Sequence, residues 1–191
     1  LKLSPEITLT DLRYYAENRT VNTQQILPNI SLDQTSLESD DVMSSLVGDS
    51  PAISHVKSLI TKFAVVETTV LINGETGTGK ELVAKALWQS SPFKDKPFLP
   101  INCGAISDHL LQTELFGHKK GAFTGAIQDH QGIFEEAKGG VVFLDEIGEI
   151  SPHMQKSLLR VLETGEYRPI GANENKKIKC KIIAATNRNL T

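Results

Sequence analysis

The stretch Gly74-Glu75-Thr76-Gly77-Thr78-Gly79-Lys80-Glu81 decides the fold of this chain, because it fits the phosphate-binding pattern G-x-x-x-x-G-K. The β-branched run Thr69 to Ile72 precedes it and predicts a buried strand, and a helix is predicted from about Lys80 to Gln89. Glycines let backbone N–H groups approach phosphate, the helix N-terminus favours anions, and Lys80 supplies a cation for the β- and γ-phosphates. The alternative is a strand-to-helix turn that binds no ligand.

Strands and helices alternate along the chain on both sides of this loop. Further strands are predicted at Phe98 to Asn102, Val141 to Asp145 and Ile182 to Thr186, and further helices at Ser50-Pro51 onward, Asp108 to Leu115, Ile133 to Ala137 and Pro152 to Thr164. A hairpin is predicted with arms at Tyr167 to Gly171 and Lys177 to Cys180. We expect Leu82, Val83, Ala86 and Leu87 to face inward. The alternation predicts an α/β fold with a mostly parallel sheet in three layers, α/β/α.

An acidic pair, Asp145 and Glu146, ends the most hydrophobic strand. Ligands of parallel sheets bind at the carboxyl ends of the strands. Asp145 is therefore expected to hold Mg²⁺, directly or through water, and Glu146 to polarise an attacking water. Glu81 stands where Ser or Thr usually contacts Mg²⁺, so how the metal shell is completed stays open. The alternative is a solvated pair of charges at a strand end.

A second glycine-rich stretch, Gly121-Ala122-Phe123-Thr124-Gly125-Ala126, lies between the phosphate-binding pattern and the acidic pair. Its glycines allow a projecting, mobile loop. Phe123 at the tip would then be exposed, which is unfavourable unless it meets a partner. On physical chemistry alone, a tight turn with Phe123 buried is the favoured alternative.

Together these elements resemble one family: the ATPase domain of bacterial sigma-54-dependent transcription activators, or enhancer-binding proteins, a P-loop NTPase of the AAA+ class. The resemblance covers Val47 to the end, and the further matching runs are Asn102-Cys103, Glu114 to Gly117, Phe143 to Gly148 and Ala184 to Arg188. It implies ATP hydrolysis with Mg²⁺ by a self-assembled ring, of six or seven subunits, that remodels sigma-54 RNA polymerase at closed promoter complexes. Glu81 after the lysine is common in that family.

The resemblance also implies roles for individual residues. Gly121 to Ala126 would bind the sigma-54 factor through Phe123 and Thr124, helped by a second surface loop at Ala172 to Lys177. Asn102 would hold Glu146 inactive until the partner is engaged; the alternative is an asparagine that satisfies a turn. Thr186 and Asn187 would sense the γ-phosphate; the alternative is a helix cap or a turn. The implied catalytic residues are Glu146, Asp145, Asn102 and Lys80, and the implied nucleotide-binding residues are Val47, Gly48, Gly74, Glu75, Thr76, Gly77, Thr78, Gly79, Lys80, Glu81, Leu82 and Asn187.

The composition of the 191 residues is that of a globular protein, with 39% hydrophobic and 23% charged residues. The net charge of −3 provides no basic footprint for nucleic acid. Neither a secretory signal nor a run of about 20 apolar residues that would span a bilayer is visible. Cys103 and Cys180 lie far apart, so reduced thiols in the bacterial cytoplasm are expected.

The ends of the sequence predict a fragment, because it begins at Leu1 and stops just after a core strand. Residues 1–46 are expected to be a linker or the tail of an upstream sensory or regulatory domain, and 47–191 a partial AAA+ domain cut after the first sensor. By resemblance, an arginine finger, a fifth strand, a helical lid and a helix-turn-helix for enhancer DNA would follow. We therefore expect weak ATP hydrolysis by this chain alone and an exposed edge at Thr69 to Asn73.

Two alternatives of different classes remain open. One is a P-loop remodelling ATPase that acts on another client, and the intact Gly121 to Ala126 stretch argues against it. The other is a non-hydrolysing nucleotide-binding regulatory module, and the intact Asp145 and Glu146 argue against it. A measurement of ATP turnover would distinguish the non-hydrolysing module from the sigma-54 activator and from the remodelling ATPase.

Overall fold

The computed structural model describes residues 42–43, 46 and 50–188. The helices are α1 (Pro51–Ala64), α2 (Lys80–Gln89), α3 (Asp108–Phe116), α4 (Ile133–Glu136) and α5 (Pro152–Thr164), with a 3₁₀ turn at Ile147–Glu149. The strands are β1 (Val70–Asn73), β2 (Phe98–Asn102), β3 (Gly117–His118), β4 (His130–Gln131), β5 (Val141–Asp145), β6 (Glu166–Tyr167), β7 (Lys176–Lys177) and β8 (Lys181–Thr186). Most of the linker expected over residues 1–46, and both Val47 and Gly48, lie outside the described residues.

Four strands form one parallel sheet in the order β1-β8-β5-β2. Their carboxyl ends meet at one edge, since Asn73 pairs with Thr186 and Asn102 pairs with Asp145. β1 lies at the border of the described sheet, as predicted for Thr69 to Asn73. The register therefore gathers the ends of four strands at the side where ligands of α/β sheets bind.

Two hydrophobic cores lie on opposite faces of the sheet, which confirms the three-layer α/β/α architecture. Strand β5 contributes to both cores, because successive side chains point to opposite faces of the sheet. Val142 and Leu144 lie in one core, and Val141 and Phe143 lie in the other. Helices α3 and α5 cover the first face, and α1 and α2 cover the second. A strand buried on both faces explains why Val141 to Leu144 is apolar throughout.

Local patterns predicted most element bounds, but the short strands β3 and β4 were not predicted, and two further expectations differ from the structure. Leu82 was expected to face inward but is 39% exposed. It lies in the first turn of α2, where Val83 is partly buried against the core and Ala84 is the first fully buried residue. The hairpin exists, but its paired arms are only β6 and β7, so they are shorter and closer to α5 than predicted. Within the described residues, the helices are all too short or too polar to cross a bilayer.

Side chains cap both ends of α1. At its start, Ser50 accepts a hydrogen bond from the backbone N–H of Ile53, at 3.3 Å. At its end, Lys181 Nζ donates to the carbonyl oxygens of Phe63, at 2.8 Å, and Ala64, at 3.1 Å. These carbonyls have no partner within the helix, so the ammonium group satisfies them and complements the helix dipole.

Burial lowers the pKa of Lys181 from 10.5 to about 8. Between these values the unfolded chain binds a proton that the folded chain has released, so stability rises with pH. We expect the unfolding free energy of the wild type, relative to that of Lys181→Met, to rise by about 2 kcal/mol from pH 8 to pH 10. Urea titrations of both proteins at each pH measure this difference. A difference that stays constant or falls with pH contradicts the expectation.

Candidate functional site

The phosphate-binding pattern forms a compact loop between β1 and α2. Gly77 and Gly79 adopt left-handed conformations with φ of 82° and 85°, which other residue types rarely adopt. Thr78 tightens the loop, because its hydroxyl donates to the carbonyl oxygen of Glu75 at 2.8 Å. The N-terminus of α2 therefore opens directly onto the loop, an arrangement that favours an anion.

Lys80 folds back over this loop. Its Nζ donates to the carbonyl oxygens of Gly74, at 3.0 Å, and Glu75, at 2.9 Å. Glu81 lies on another side of the helix, where its carboxylate pairs with Lys85 at 2.8 Å. The ammonium group is thus held at the loop, while the carboxylate of the next residue is engaged with a lysine one turn along α2.

The acidic pair ends β5 at the same edge of the sheet. Asp145 Oδ1 accepts a hydrogen bond from the backbone N–H of Glu146, at 2.9 Å. Glu146 adopts φ 53° and ψ 41°, an uncommon conformation for a residue with a side chain. Its Oε2 lies 2.6 Å from the position that a Cβ on residue 104 would occupy. Gly104 therefore leaves the space that this carboxylate uses.

Asn102 ends the neighbouring strand and shapes the turn that contains Gly104. Its Oδ1 accepts hydrogen bonds from the backbone N–H groups of Gly104, at 2.9 Å, and Ala105, at 3.0 Å. This is the turn-forming role that was the alternative to a switch. The turn also contacts Glu146, so Asn102 and Glu146 are connected through Gly104. Sequence reasoning missed Gly104, although a glycine two residues after a strand-end asparagine is a recognisable signal.

The end of β8 contacts the phosphate loop. The carbonyl oxygen of Thr186 accepts from the backbone N–H of Gly74, at 3.1 Å, and Asn187 Nδ2 donates to Thr76 Oγ1, at 3.1 Å. Arg188 follows and pairs with Glu149, which lies in the 3₁₀ turn after Glu146. The predicted sensor segment therefore touches both the loop and the turn that follows the acidic pair.

An apolar cavity of about 240 Å³ opens beside the phosphate loop. α1 and α2 supply its walls, β1 its floor, and Gly74, Thr78 and Lys80 one end. A pocket that is apolar along its walls and has a phosphate loop at one end can take a ligand with an apolar part and a phosphate part.

Asp145 is the candidate metal ligand of this site, and its carboxylate oxygens fit Mg²⁺. This ion prefers oxygen ligands, keeps several waters, and is usually bound by one or two carboxylates together with phosphates. Among the described residues no group of three or more His, Cys, Asp and Glu side chains is placed to hold a metal. A carboxylate at the carboxyl end of a strand, at the sheet edge that also holds the phosphate loop, can bind Mg²⁺ together with a phosphorylated ligand.

The second glycine-rich stretch is folded into tight turns. The backbone N–H of Gly121 donates to the carbonyl oxygen of Ala126, at 2.8 Å, and that of Ala126 donates to Phe123, at 3.0 Å. Phe123 is half-buried between His109 and His118, with ring centroids 4.6 Å and 4.9 Å away. The expectation of an exposed Phe123 is therefore wrong for this structure, because edge-to-face packing on two imidazoles shields the ring.

Thr124 remains exposed, and the hairpin of β6 and β7 lies beside the loop. The backbone N–H of Lys119 donates to the carbonyl oxygen of Ile170, at 2.9 Å. A Cβ on residue 171 would lie 2.7 Å from the Cβ of Ala122, so Gly171 permits close contact between the two segments. Both predicted surface loops thus lie side by side.

Neither cysteine belongs to this site as a reactive group. Both Cys103 and Cys180 are free thiols. Burial raises the pKa of Cys103 to about 12, with a further contribution from the charge of Asp145, and burial raises that of Cys180 to about 11. Thiols with such pKa values are protonated and unreactive at neutral pH.

Comparison with known proteins adds family information to this geometry. The family model described as "Sigma-54 interaction domain" matches residues 46–191. The chain is 50% identical over 145 residues to the Nif-specific regulatory protein of Azotobacter vinelandii, covering 76% of this chain and 28% of the relative. It is 52% identical over 145 residues to the Nif-specific regulatory protein of Bradyrhizobium diazoefficiens, covering 76% and 25%. The chain thus spans about a quarter of the length of these curated relatives.

Solved structures give a consistent result. The fold is similar to that of NtrX from Brucella abortus, with a TM-score of 0.69 and 28% identity over 97% of this chain and 39% of that one. NtrX was also crystallised in complex with ADP and in complex with ATP, and these two structures each give a TM-score of 0.68.

Proposed function

This chain belongs to the sigma-54 interaction domain family of the AAA+ class, and we propose that it is the ATP-hydrolysing module of a sigma-54-dependent transcription activator in the bacterial cytoplasm. The observation that carries the proposal is the convergence of four elements at one sheet edge: the phosphate loop, Asp145 with Glu146, the Asn102 turn and Asn187. Each supplies something that phosphoryl transfer to water requires.

ATP would bind with its phosphates on the loop from Gly74 to Lys80 and its base in the adjoining cavity. Lys80, which bonds loop carbonyls at 2.9–3.0 Å, would exchange these partners for phosphate oxygens, a charge-assisted and therefore stronger interaction. Asp145 would hold Mg²⁺, directly or through water, and the ion would neutralise charge on the phosphates. Glu81 is paired with Lys85, so water and phosphate oxygens rather than Glu81 would complete the shell.

Glu146 would orient the water that attacks the γ-phosphate. The Asn102 turn contacts its carboxylate through Gly104, so Asn102 would act as a switch by moving that turn rather than by bonding Glu146 directly. Asn187, which bonds Thr76 of the phosphate loop, would sense the γ-phosphate. These roles give the candidate residues complementary tasks in one hydrolytic step.

A continuous piece of chain would carry the change from this site to the partner. The Asn102 turn leads into α3, and α3 leads through β3 into Gly121 to Ala126. His109 of α3 contacts Phe123 directly. A movement at the turn would therefore shift α3, release Phe123, and present Phe123 and Thr124 to the sigma-54 factor. The remodelled target would be sigma-54 RNA polymerase at a closed promoter complex.

The proposed active form is a ring of this chain's own copies, in which a neighbouring subunit completes each ATP site. Turnover by the isolated chain is accordingly expected to be weak and to rise with protein concentration. Contact with enhancer DNA would be made outside these residues, since the net charge of −3 offers no basic surface for it.

The test is complex formation between the full-length gene product and the sigma-54 factor in the presence of ADP and aluminium fluoride, followed on a native gel. The proposal predicts a stable complex that is absent with ADP alone. Hydrolysis without any complex would favour a remodelling ATPase with another client. Nucleotide binding without hydrolysis or complex would favour a regulatory nucleotide-binding module.

A further inference from the structure

A buried lysine outside every recognised motif connects α1 to the central sheet. Lys181 opens β8 and is 3% exposed; the other buried polar residues of the described core, Ser91, Thr113 and Thr186, carry no charge. Burying an ammonium group is unfavourable by several kcal/mol unless it is well paired. The rest of β8 is Ile182 to Thr186, which shows that this strand is otherwise built from uncharged side chains. We therefore expect the buried charge of Lys181 to have a specific structural role.

That role is visible at the end of α1. The residue after the helix, Val65, has a right-handed conformation and is not the glycine that commonly ends helices, so the last carbonyls of α1 need another donor. Lys181 Nζ supplies it, at 2.8 Å to Phe63 and 3.1 Å to Ala64. The side chain of Phe63 itself lines the cavity beside the phosphate loop. The residue that Lys181 bonds is thus part of the cavity wall.

The opposite end of β8 contacts the phosphate loop. Thr186 accepts from the backbone N–H of Gly74, and Asn187 donates to Thr76. β8 spans about 17 Å between Lys181 and Thr186. One strand, buried along its whole length, therefore links the α1 wall of the cavity at one end to the phosphate loop at the other.

We propose that Lys181 is a positioning residue for nucleotide binding, which fixes the α1 wall of the cavity relative to the phosphate loop so that the base and the phosphates bind together. The inference rests on the proposed function, because it assigns the base to this cavity. Its ligand class is a nucleoside polyphosphate, since such a ligand carries a base for the apolar wall and phosphates for the loop. Lys181 touches neither part of the ligand and acts through Phe63.

The proposal makes a selective prediction for Lys181→Met, which keeps the side-chain volume but removes the donor. The dissociation constant of ADP should rise about fivefold or more, because the wall is no longer held in place before binding. That of inorganic tripolyphosphate, which needs only the loop, should stay within about twofold. Lys181→Arg keeps the charge and the donors and should bind ADP more tightly than Lys181→Met.

The experiment is isothermal titration of this chain with ADP and with tripolyphosphate, at a temperature where circular dichroism shows every variant to be folded. Lys179→Met, an exposed lysine on the same segment, is the matched control and should bind both ligands like the wild type. If Lys181→Met does not fold, Lys181→Leu, which also removes the donor, replaces it, and weaker ADP binding with unchanged tripolyphosphate binding supports the proposal.

Two results overturn the inference. Unchanged ADP binding by a folded variant that lacks the donor, such as Lys181→Met, shows that the wall does not depend on the lysine. Equal weakening for ADP and tripolyphosphate shows general loosening of the site rather than positioning of the wall. Failure of the proposed function is distinguishable from both, since a wild-type chain that binds neither ADP nor tripolyphosphate would contradict nucleotide binding itself.

Discussion

Replacing Glu146 by glutamine should lower kcat for ATP hydrolysis by about 10²- to 10⁴-fold while changing the dissociation constant of ATP by less than about threefold. Glutamine keeps the size and shape that fit over Gly104, at a site where a Cβ would lie 2.6 Å from Oε2. It cannot polarise water as a carboxylate does. The loss should therefore appear in the chemical step and spare the binding step.

The measurement is steady-state phosphate release by the full-length gene product at saturating ATP, together with a titration of a fluorescent ATP analogue. Glu163→Gln is a suitable control, because Glu163 is an exposed carboxylate on α5, away from the acidic pair. A Glu146→Gln protein with near wild-type kcat would remove Glu146 from the mechanism. A loss of ATP binding equal to the loss of turnover would instead point to a structural role.

Replacing Thr124 by alanine should abolish the complex with the sigma-54 factor on a native gel, which corresponds to at least a tenfold loss of affinity. Thr124 is exposed, whereas Phe123 beside it is packed between two histidines. Removing the Thr124 hydroxyl therefore takes away a surface hydrogen-bonding group without disturbing the turns of the loop. The loss is expected in the presence of ADP and aluminium fluoride, while ATP turnover stays within about twofold of wild type.

The matched control is Thr68→Ala, another exposed threonine, which precedes β1 at the opposite end of the strand from the phosphate loop. It should form the complex normally. A Thr124→Ala protein that still forms the complex would exclude this hydroxyl from the interface. If both variants lost the complex, the effect would reflect general instability and the assignment of the loop would fail.

Much of the fold was predictable from short stretches of sequence. α2, β2, β5 and α5 begin and end at the predicted residues, because hydrophobic periodicity and capping residues act within a few positions. The family assignment is also confirmed, since it depends on local motifs whose order along the chain is visible without a structure. The expected burial of Leu82 was wrong because the helix pattern does not reveal where a helix first meets the sheet.

Phe123 shows the same limit at the candidate partner surface. Gly121 and Gly125 permit several loop conformations, and the sequence does not indicate which side chains will pack against the Phe123 ring. The partners that shield it are His109, at the start of α3, and His118 of β3. The sequence left two alternatives for Phe123, an exposed ring or a buried one. In the structure the ring is half-buried, and its release is part of the proposed mechanism.

The sequence by itself determined the elements, the phosphate loop and the acidic pair, because each rests on backbone preferences and side-chain spacing over a few residues. Only the tertiary structure decided which distant groups meet: Asn187 with Thr76, Glu146 with Gly104, and Lys181 with the end of α1. These pairings follow from the strand order β1-β8-β5-β2. That order allows both hydrophobic cores to be buried at once. The free energy of this burial depends on the packing of the whole sheet and cannot be assigned to any single stretch of chain.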